Sequence, residues 1–308
     1  MRIHAASLVY FDAICRLGSF RAAARRLNVA SSAINRQILK LEEEVGTTLF
    51  ERVANGVRLT AAGEILARHV TVVLQDLDRA RSDIHELMGA RLGHVSIAAA
   101  EGIFTSLLPT AVVRLRDVAP LVTISGKLIG SLAIPKAITS GDVDIGIGFD
   151  VPRGQDLRRY AKARFRIGAI MAPDHPLATR KSVSLLRCCE YPIIFAKPDT
   201  SIERSLAPAI GRLPRPLEPT VQSTSIEFMR ELAERGVGIA FQTRVSLERA
   251  QTEGRLVHVP LNDGGGIWSE LSIYVRAKRN LPATTELVLK ILAAELQARE
   301  ALENTRRS

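Results

Sequence analysis

The side chains best suited to chemistry lie in one stretch, GSFRAAARRLNVASSAINRQILKLEEEVG, from Gly18 to Gly46. Ile34, Ile38, Leu41 and Val45 follow i, i+4, i+7, i+11 spacing. At about 100° per residue they fall within about 40° of one line on a helix. Ser32 and Arg36 then occupy the opposite face, with Asn35 and Lys40 flanking them and Leu39 on the same outward side. A hydroxyl, an amide and a guanidinium offered from one helical face can hydrogen-bond base edges or phosphates. A solvated surface helix carries a similar face, so the neighbouring elements must decide between the two.

Those neighbours are ordered. Leu8, Phe11, Ile14 and Cys15 recur at helical spacing, and Gly18 stands at the position of a helix C-cap. Ser19 is a natural N-cap for a run from Phe20 to Leu27, whose Ala22, Ala23 and Ala24 permit a close helix crossing. Asn28-Val29-Ala30 is then the short turn before the polar-faced helix, which makes the pair a helix-turn-helix. GTTLFERVANGVRLT reads as a two-stranded ribbon turning at Asn55-Gly56 and carrying Arg52 and Arg58, a basic wing beside the helix pair. Thr60 caps a run to Met88 in which Leu66, Val70, Val73, Leu77, Ala80, Ile84 and Leu87 alternate steps of four and three. That seam, about 40 Å long at 1.5 Å per residue, is expected to pair with a second copy of the chain.

Composition agrees. The 308-residue chain has a net charge of +10, and residues 1–40 hold seven Arg/Lys (Arg2, Arg16, Arg21, Arg25, Arg26, Arg36, Lys40) against one acid, Asp12. This excess calls for a polyanionic partner and sits on the helix-turn-helix. No run approaches the roughly 18 apolar residues of a spanning helix, and no secretory signal is evident, so no membrane role and a cytoplasmic location are expected. Cys15, Cys188 and Cys189 form neither a C-x-x-C pair nor a disulfide framework.

Beyond Leu92-Gly93, read as a hinge, short apolar strands alternate with helices. HVSIAA (94–99), LVTIS (121–125) and VDIGIGF (143–149) read as buried parallel strands separated by helices at about 106–118 and 131–139. A second set runs from RFRIGAIMAPDHPLA through YPIIFA and GVGIAF to RLVHVPL, and ELSIYVRAK with the last helix reads as a return to the first lobe. Two such lobes enclose a cleft, where ligands sit at strand C-termini and helix N-termini.

Enzyme chemistry finds little support. GIGFD at 146–150 lacks the third glycine of a dinucleotide loop, and no G-x-S-x-G elbow or phosphate loop is present. His4, His69, His85, His94, His175 and His258 show no metal-ligand spacing, so neither metal nor cofactor is expected. The two-lobed half alone also suggests a solute-binding protein, but that reading leaves residues 1–90 unexplained.

The N-terminal motifs resemble the LysR-type transcriptional regulators. The residues that carry the likeness are Gly18-Ser19-Phe20, Ala22-Ala23, Leu27, Ala33–Ile38, Leu41-Glu42, Leu49-Phe50-Glu51-Arg52 and Leu59-Thr60-Ala61-Ala62-Gly63. The likeness continues more diffusely through His175–Ala178 and Gly236–Ile239. It implies a winged helix-turn-helix (1–60), a dimerising linker helix (61–89) and a two-lobed, periplasmic-binding-protein-like α/β effector domain (90–308). Lobe I is expected at 93–160 and 268–308, and lobe II at 161–267. It implies double-stranded promoter DNA as partner, with Ser31, Ser32, Asn35 and Arg36 on the operator, Arg21 on phosphate, and Arg52 and Asn55 in the wing. It also implies self-association as dimers or tetramers. Where the family often has Ser-Gln-Pro this chain has Ala30-Ser31-Ser32, so the recognition helix lacks its usual cap and a Gln able to read adenine. Position-matching in the cleft implicates Gly102, Ser131, Phe149, Thr200, Ser201, Thr224 and Ser225 as contacts to a small-molecule effector. Helix N-termini there favour an anion. Glu101 would repel an anion or pair with a cationic group, which leaves the effector's charge open. The cluster Arg158, Arg159, Lys162, Arg164 and Arg166 is read either as a recruiter of acidic effectors or as a solvated or subunit-contact face.

Overall fold

The computed structural model of the chain describes residues 5–54, 56–87, 92–198, 200–277 and 280–305, and the chain divides into two compact units, 1–84 and 85–308.

In the first unit, α1 (Ala5–Leu17) ends where Gly18 turns left-handed, and α2 (Phe20–Leu27) begins under its Ser19 cap, whose side chain accepts from Ala22 N–H. Asn28 then takes the left-handed conformation, at φ 54°, that closes α2 and redirects the chain within three residues. The third helix, α3 (Ser31–Val45), starts behind Ala30 with no side-chain cap. Its stripe Ile34, Ile38 and Leu41 is 0–2% exposed, packed with Phe11, Ile14, Ala23, Ala24 and Leu49 into one core. Each such Ile or Leu contributes about 1.5–3 kcal/mol by leaving water, so this packing, more than propensity, fixes which face of α3 is outward. Strands β1 (Phe50–Val53) and β2 (Gly56–Leu59) pair antiparallel as the wing. Phe50 meets the rings of Phe11 and Phe20 at 5.1 and 5.8 Å. Gly63 is required for close approach, since a Cβ there would stand 2.1 Å from the Leu49 carbonyl oxygen.

The long helix α4 (Ala61–Leu87) corrects the expected seam. Val70 is 2% exposed and Leu66 half-buried, both packed into the first unit's own core. Val73, Leu77 and Ile84 are 44%, 53% and 56% exposed. The continuous heptad pattern therefore serves two surfaces in turn. Its N-terminal part, through Leu66, Val70 and Leu74, covers the winged helix, and the stripe left exposed starts at Val73. The side chain of Leu87 lies outside the described residues.

The second unit holds two lobes. In the first, β3 (Gly93–Ala99), β4 (Val122–Leu128) and β5 (Ile145–Phe149) pair parallel, as expected, and β6 (Leu157–Arg166) and β12 (Trp268–Arg276) complete the order β4-β3-β5-β12-β6. β12 runs antiparallel to both its neighbours, because it returns from the other lobe. Helices α5 (Glu101–Phe104), α6 (Leu107–Val118), α7 (Ile134–Thr139) and α12 (Ala283–Thr305) flank this sheet. Two expectations change. β4 is an edge strand with only Val122 buried, not a buried strand. β6 stays registered with β12 as far as Arg166↔Trp268, so the lobes change at Ile167 and not at residue 161.

In the second lobe, β7 (Gly168–Met171) lies between β10 (Ala240–Gln242) and β11 (Val257–Pro260), antiparallel to both. A parallel pair, β8 (Ile194–Ala196) and β9 (Val221–Ser223), joins through the Ile193–Ile239 bridge. α8 (Leu185–Cys188), α9 (Ser201–Ile210), α10 (Ile226–Glu234) and α11 (Glu248–Thr252) cover it. This mixed sheet replaces the purely parallel order that doubly wound repeats suggest. His258 on β11 is wholly buried and its Nε2 lies 3.1 Å from the Gln242 carbonyl oxygen; burial and then the Arg244 charge push its pKa down to about 3.

Candidate functional site

Ser31, Ser32, Asn35, Arg36 and Lys40 are all exposed on α3, opposite the buried stripe, and Leu39 is 57% exposed among them. Arg21 on α2 and Arg52 on β1 are exposed as well, and they line one open groove together with Ser31, Ser32 and Asn35. The first unit thus gathers hydroxyl, amide and guanidinium donors from two helices and the wing onto one surface. Asn55 lies outside the described residues. Arg58 is paired with Glu51 across the wing at 2.7 Å, which partly offsets its charge.

One residue that holds this surface together shows in the sequence only as part of the Leu41-Glu42 motif. Glu42 projects from α3 and its Oε1 accepts from Leu49 N–H at 2.7 Å and Phe50 N–H at 3.3 Å. The carboxylate thereby fixes the start of β1 to the helix that carries the reading face. At the other end of the wing, Val57 N–H donates to the Gly18 carbonyl at 3.0 Å. A Cβ on Gly56 would come 2.3 Å from that same oxygen. The helix-turn-helix and the wing are therefore joined at both ends, and the spacing from Arg52 to Arg36 is set by the Glu42 carboxylate together with the backbone contact at Gly18.

In the second unit the expected contacts form two groups. Glu101, at the C-terminal end of β3, reaches the start of α10: its Oε1 accepts from Ser225 Oγ at 2.8 Å, and its Oε2 from Ile226 N–H at 2.5 Å and Glu227 N–H at 3.4 Å. This brings the Gly102 and Ser225 segments together, and the Glu101 carboxylate is met by helix donors from the other lobe. Ser225 is also the α10 N-cap, accepting from Phe228 N–H, while Thr224 is exposed. Gly102 answers to packing, since a Cβ there would stand 3.2 Å from Ser246 Cβ and Oγ.

The second group lies at the end of β5. Phe149 is half-buried, and Asp150 beyond it is held at φ 47°. The Asp150 carboxylate accepts from Ser205 Oγ on α9 at 2.9 Å, Ser269 Oγ at 2.5 Å and Glu270 N–H at 2.9 Å. Ser131 is 7% exposed at the start of the helical segment beside Gly148, whose Cβ would lie 3.0 Å from its hydroxyl. Thr200 caps α9 by accepting from Glu203 N–H and donating to the Lys197 carbonyl, and Ser201 is half-buried next to it. Asp150 carries no signal in the sequence, and Glu101 shows there only as a charge beside Gly102, for their partners lie 55, 119 and 120 positions away for Asp150 and 124–126 for Glu101.

Most of the basic run on β6 has partners within the chain, and Arg158 is exposed. Arg159 and Lys162 pair with Glu270 at 2.5 and 3.7 Å, Arg164 lies over the Trp268 ring, and Arg166 donates to the Leu261 carbonyl. Burial pushes the thiol pKa values of Cys15 and Cys188 up to about 12 and raises that of Cys189, so none is an activated thiolate. Among the described residues no helix is long and apolar enough to cross a membrane.

Residues 6–64 match the bacterial regulatory helix-turn-helix protein, lysR family, and residues 89–297 match the LysR substrate binding domain. The chain is 26% identical over 250 residues to a probable nitrogen assimilation transcriptional activator of Synechococcus elongatus, covering 80% of this chain and 81% of that one. It is 34% identical over 190 residues to the HTH-type transcriptional regulator ClcR of Pseudomonas putida, covering 58% and 62%. In fold it is similar to full-length OxyR C199D from Pseudomonas aeruginosa, with TM-score 0.75, 19% identity and 95% of each chain covered. It is also similar to ArgP from Mycobacterium tuberculosis, with TM-score 0.65, 20% identity and 94% and 96% covered.

Proposed function

Because the chain belongs to the LysR family of transcriptional regulators, matched through both its helix-turn-helix and its substrate-binding half, we propose that α3 and the wing read promoter DNA and that a small molecule held between the two C-terminal lobes adjusts the outcome. It is a DNA-binding transcriptional regulator, neither an enzyme nor a plain solute-binding protein. The observation that carries the residue-level reading is the split of α3 into a stripe 0–2% exposed and an opposite face of exposed Ser31, Ser32, Asn35 and Arg36. A helix so divided enters the major groove with its polar side. Arg36 and Asn35 contact base edges or phosphates, Arg21 a flanking phosphate, and Arg52 and Asn55 the backbone or minor groove beside the wing. Leu39 offers an apolar contact where a thymine methyl would fit.

The same reading extends to self-association. The exposed Val73, Leu77 and Ile84 form a stripe that a second α4 would cover. Two reading heads joined this way engage a partly palindromic operator, and two dimers make a tetramer. In the C-terminal half, Ser131, Phe149, Thr200 and Ser201 are the proposed effector contacts, located at strand and helix ends where ligands of such folds sit. A ligand there acts by binding one lobe arrangement more tightly than another. Footprinting on the promoter beside the chain's own gene, with candidate small metabolites added, tests both halves of the proposal. Two protected half-sites whose pattern changes with a metabolite are expected, and unprotected promoter DNA would overturn the reading.

A further inference from the structure

We propose that Glu101 is a built-in ligand of the interlobe cleft. Its carboxylate occupies the anion-binding start of α10 and latches the lobes together, so a small anion gains that end of the cleft only by displacing it. The inference rests on the proposed effector cleft and says what that cleft selects.

The donors around Glu101 are those that would hold a free carboxylate: one hydroxyl, from Ser225, and two successive backbone N–H groups, from Ile226 and Glu227, at the positive end of a nine-residue helix. Glu101 heads α5, yet its side chain spends both oxygens on a helix of the other lobe. The same two helices meet once more. Four residues on, Thr105 Oγ1 donates to Glu227 Oε1 at 3.1 Å, tying α5 to α10 again. At the end of β5, Asp150 likewise meets α9, with Ser205 Oγ donating to its carboxylate at 2.9 Å and Arg204 donating to its carbonyl at 3.4 Å. Acids at the ends of two first-lobe strands are thus answered by helices of the second lobe. These interlobe contacts need no added anion, because the chain supplies its own.

The consequence is selectivity. A carboxylate effector competing for α10 must eject a tethered group whose local concentration is set by the fold. A neutral effector lodged at Ser131 or α9 leaves the latch in place. Glu101 is therefore the specificity-determining residue at this end of the cleft, and shortening its side chain opens the α10 subsite to small carboxylates in solution.

The test uses the purified full chain without DNA or effector, comparing parent, Glu101→Ala and Glu101→Gln by thermal melting in sodium acetate against sodium chloride at equal ionic strength. Glu101→Ala is expected to lower the melting midpoint of the two-lobed unit by about 4 °C, and acetate, not chloride, to restore most of that loss in a saturable way. Glu101→Gln also melts early but gains nothing from acetate, because its amide still fills the space. The parent responds alike to both salts. An unchanged midpoint for Glu101→Ala, or acetate acting no better than chloride, overturns the latch. Acetate rescue together with a promoter output that no added metabolite changes, in parent or in Glu101→Ala, leaves the latch standing and removes the effector-cleft reading it serves.

Discussion

Replacing Glu42 by Ala tests whether wing and recognition helix form one body. The substitution removes the shared acceptor of Leu49 N–H and Phe50 N–H, at 2.7 and 3.3 Å. Leu49 is fully buried, so its N–H is left without a partner and without water, which costs about 1–3 kcal/mol; the longer Phe50 bond adds less. A total of about 2 kcal/mol is therefore expected. For a unit of 84 residues, at about 4–8 °C per kcal/mol, the first unit's midpoint falls by roughly 8–16 °C. Glu42→Gln keeps a carbonyl oxygen and is expected to lose about half as much. Calorimetry of the full chain reads the midpoint, and anisotropy titration with operator duplex reads the consequence, since a wing freed from α3 no longer holds Arg52 at a fixed spacing from Arg36. An Ala variant that melts with the parent and binds DNA equally well would refute the argument that this carboxylate positions the wing.

Two further outcomes follow from the same geometry. Leu77→Asp puts a charge on a residue 53% exposed on the α4 stripe, so it leaves the first unit folded and is expected to sediment as a smaller species; the parental oligomer would refute the stripe as a dimer contact. His258 is neutral when folded, with a pKa near 3 against about 6.5 unfolded, so the unfolded chain binds the extra proton between those values and stability falls as pH drops from 6.5 toward 3. Denaturant midpoints at pH 7 and pH 5 are expected to differ less in His258→Gln than in the parent, and an equal difference would remove His258 from that acid dependence.

Much of the first unit is legible in the sequence because its signals are local. The Ser19 cap, the i, i+4, i+7 stripe of α3 and the Asn-Gly ribbon each lie within a few residues, and the helix periodicity already places Ser32 and Arg36 outward. The α4 heptads were legible as a pattern but not as a function, for a run of Leu, Val and Ile does not say whether its cover is the same chain or another: Val70 is covered by its own unit and Val73 is not. The lobe change lies further along the chain than the sequence suggests, because nothing local marks the end of the LRRYAKARFR run, and only its register with β12 carries β6 to Arg166. The cleft residues were least legible. Thr200 and Ser225 stand at helix starts, as capping alone requires, and the acids that join the lobes find partners far along the chain, which leaves no periodic trace.

The most direct test of the account is the affinity of the parent and Arg36→Ala for operator duplex, measured across a series of salt concentrations. The parent is expected to lose affinity steeply as salt rises, because Lys and Arg release counterions from the phosphates. Arg36→Ala is expected to bind about 5–150-fold more weakly at fixed salt, the range for losing one guanidinium contact worth about 1–3 kcal/mol, with its fold intact because Arg36 is exposed. A parent that ignores double-stranded DNA at low ionic strength, or an Arg36→Ala chain with parental affinity, would contradict it.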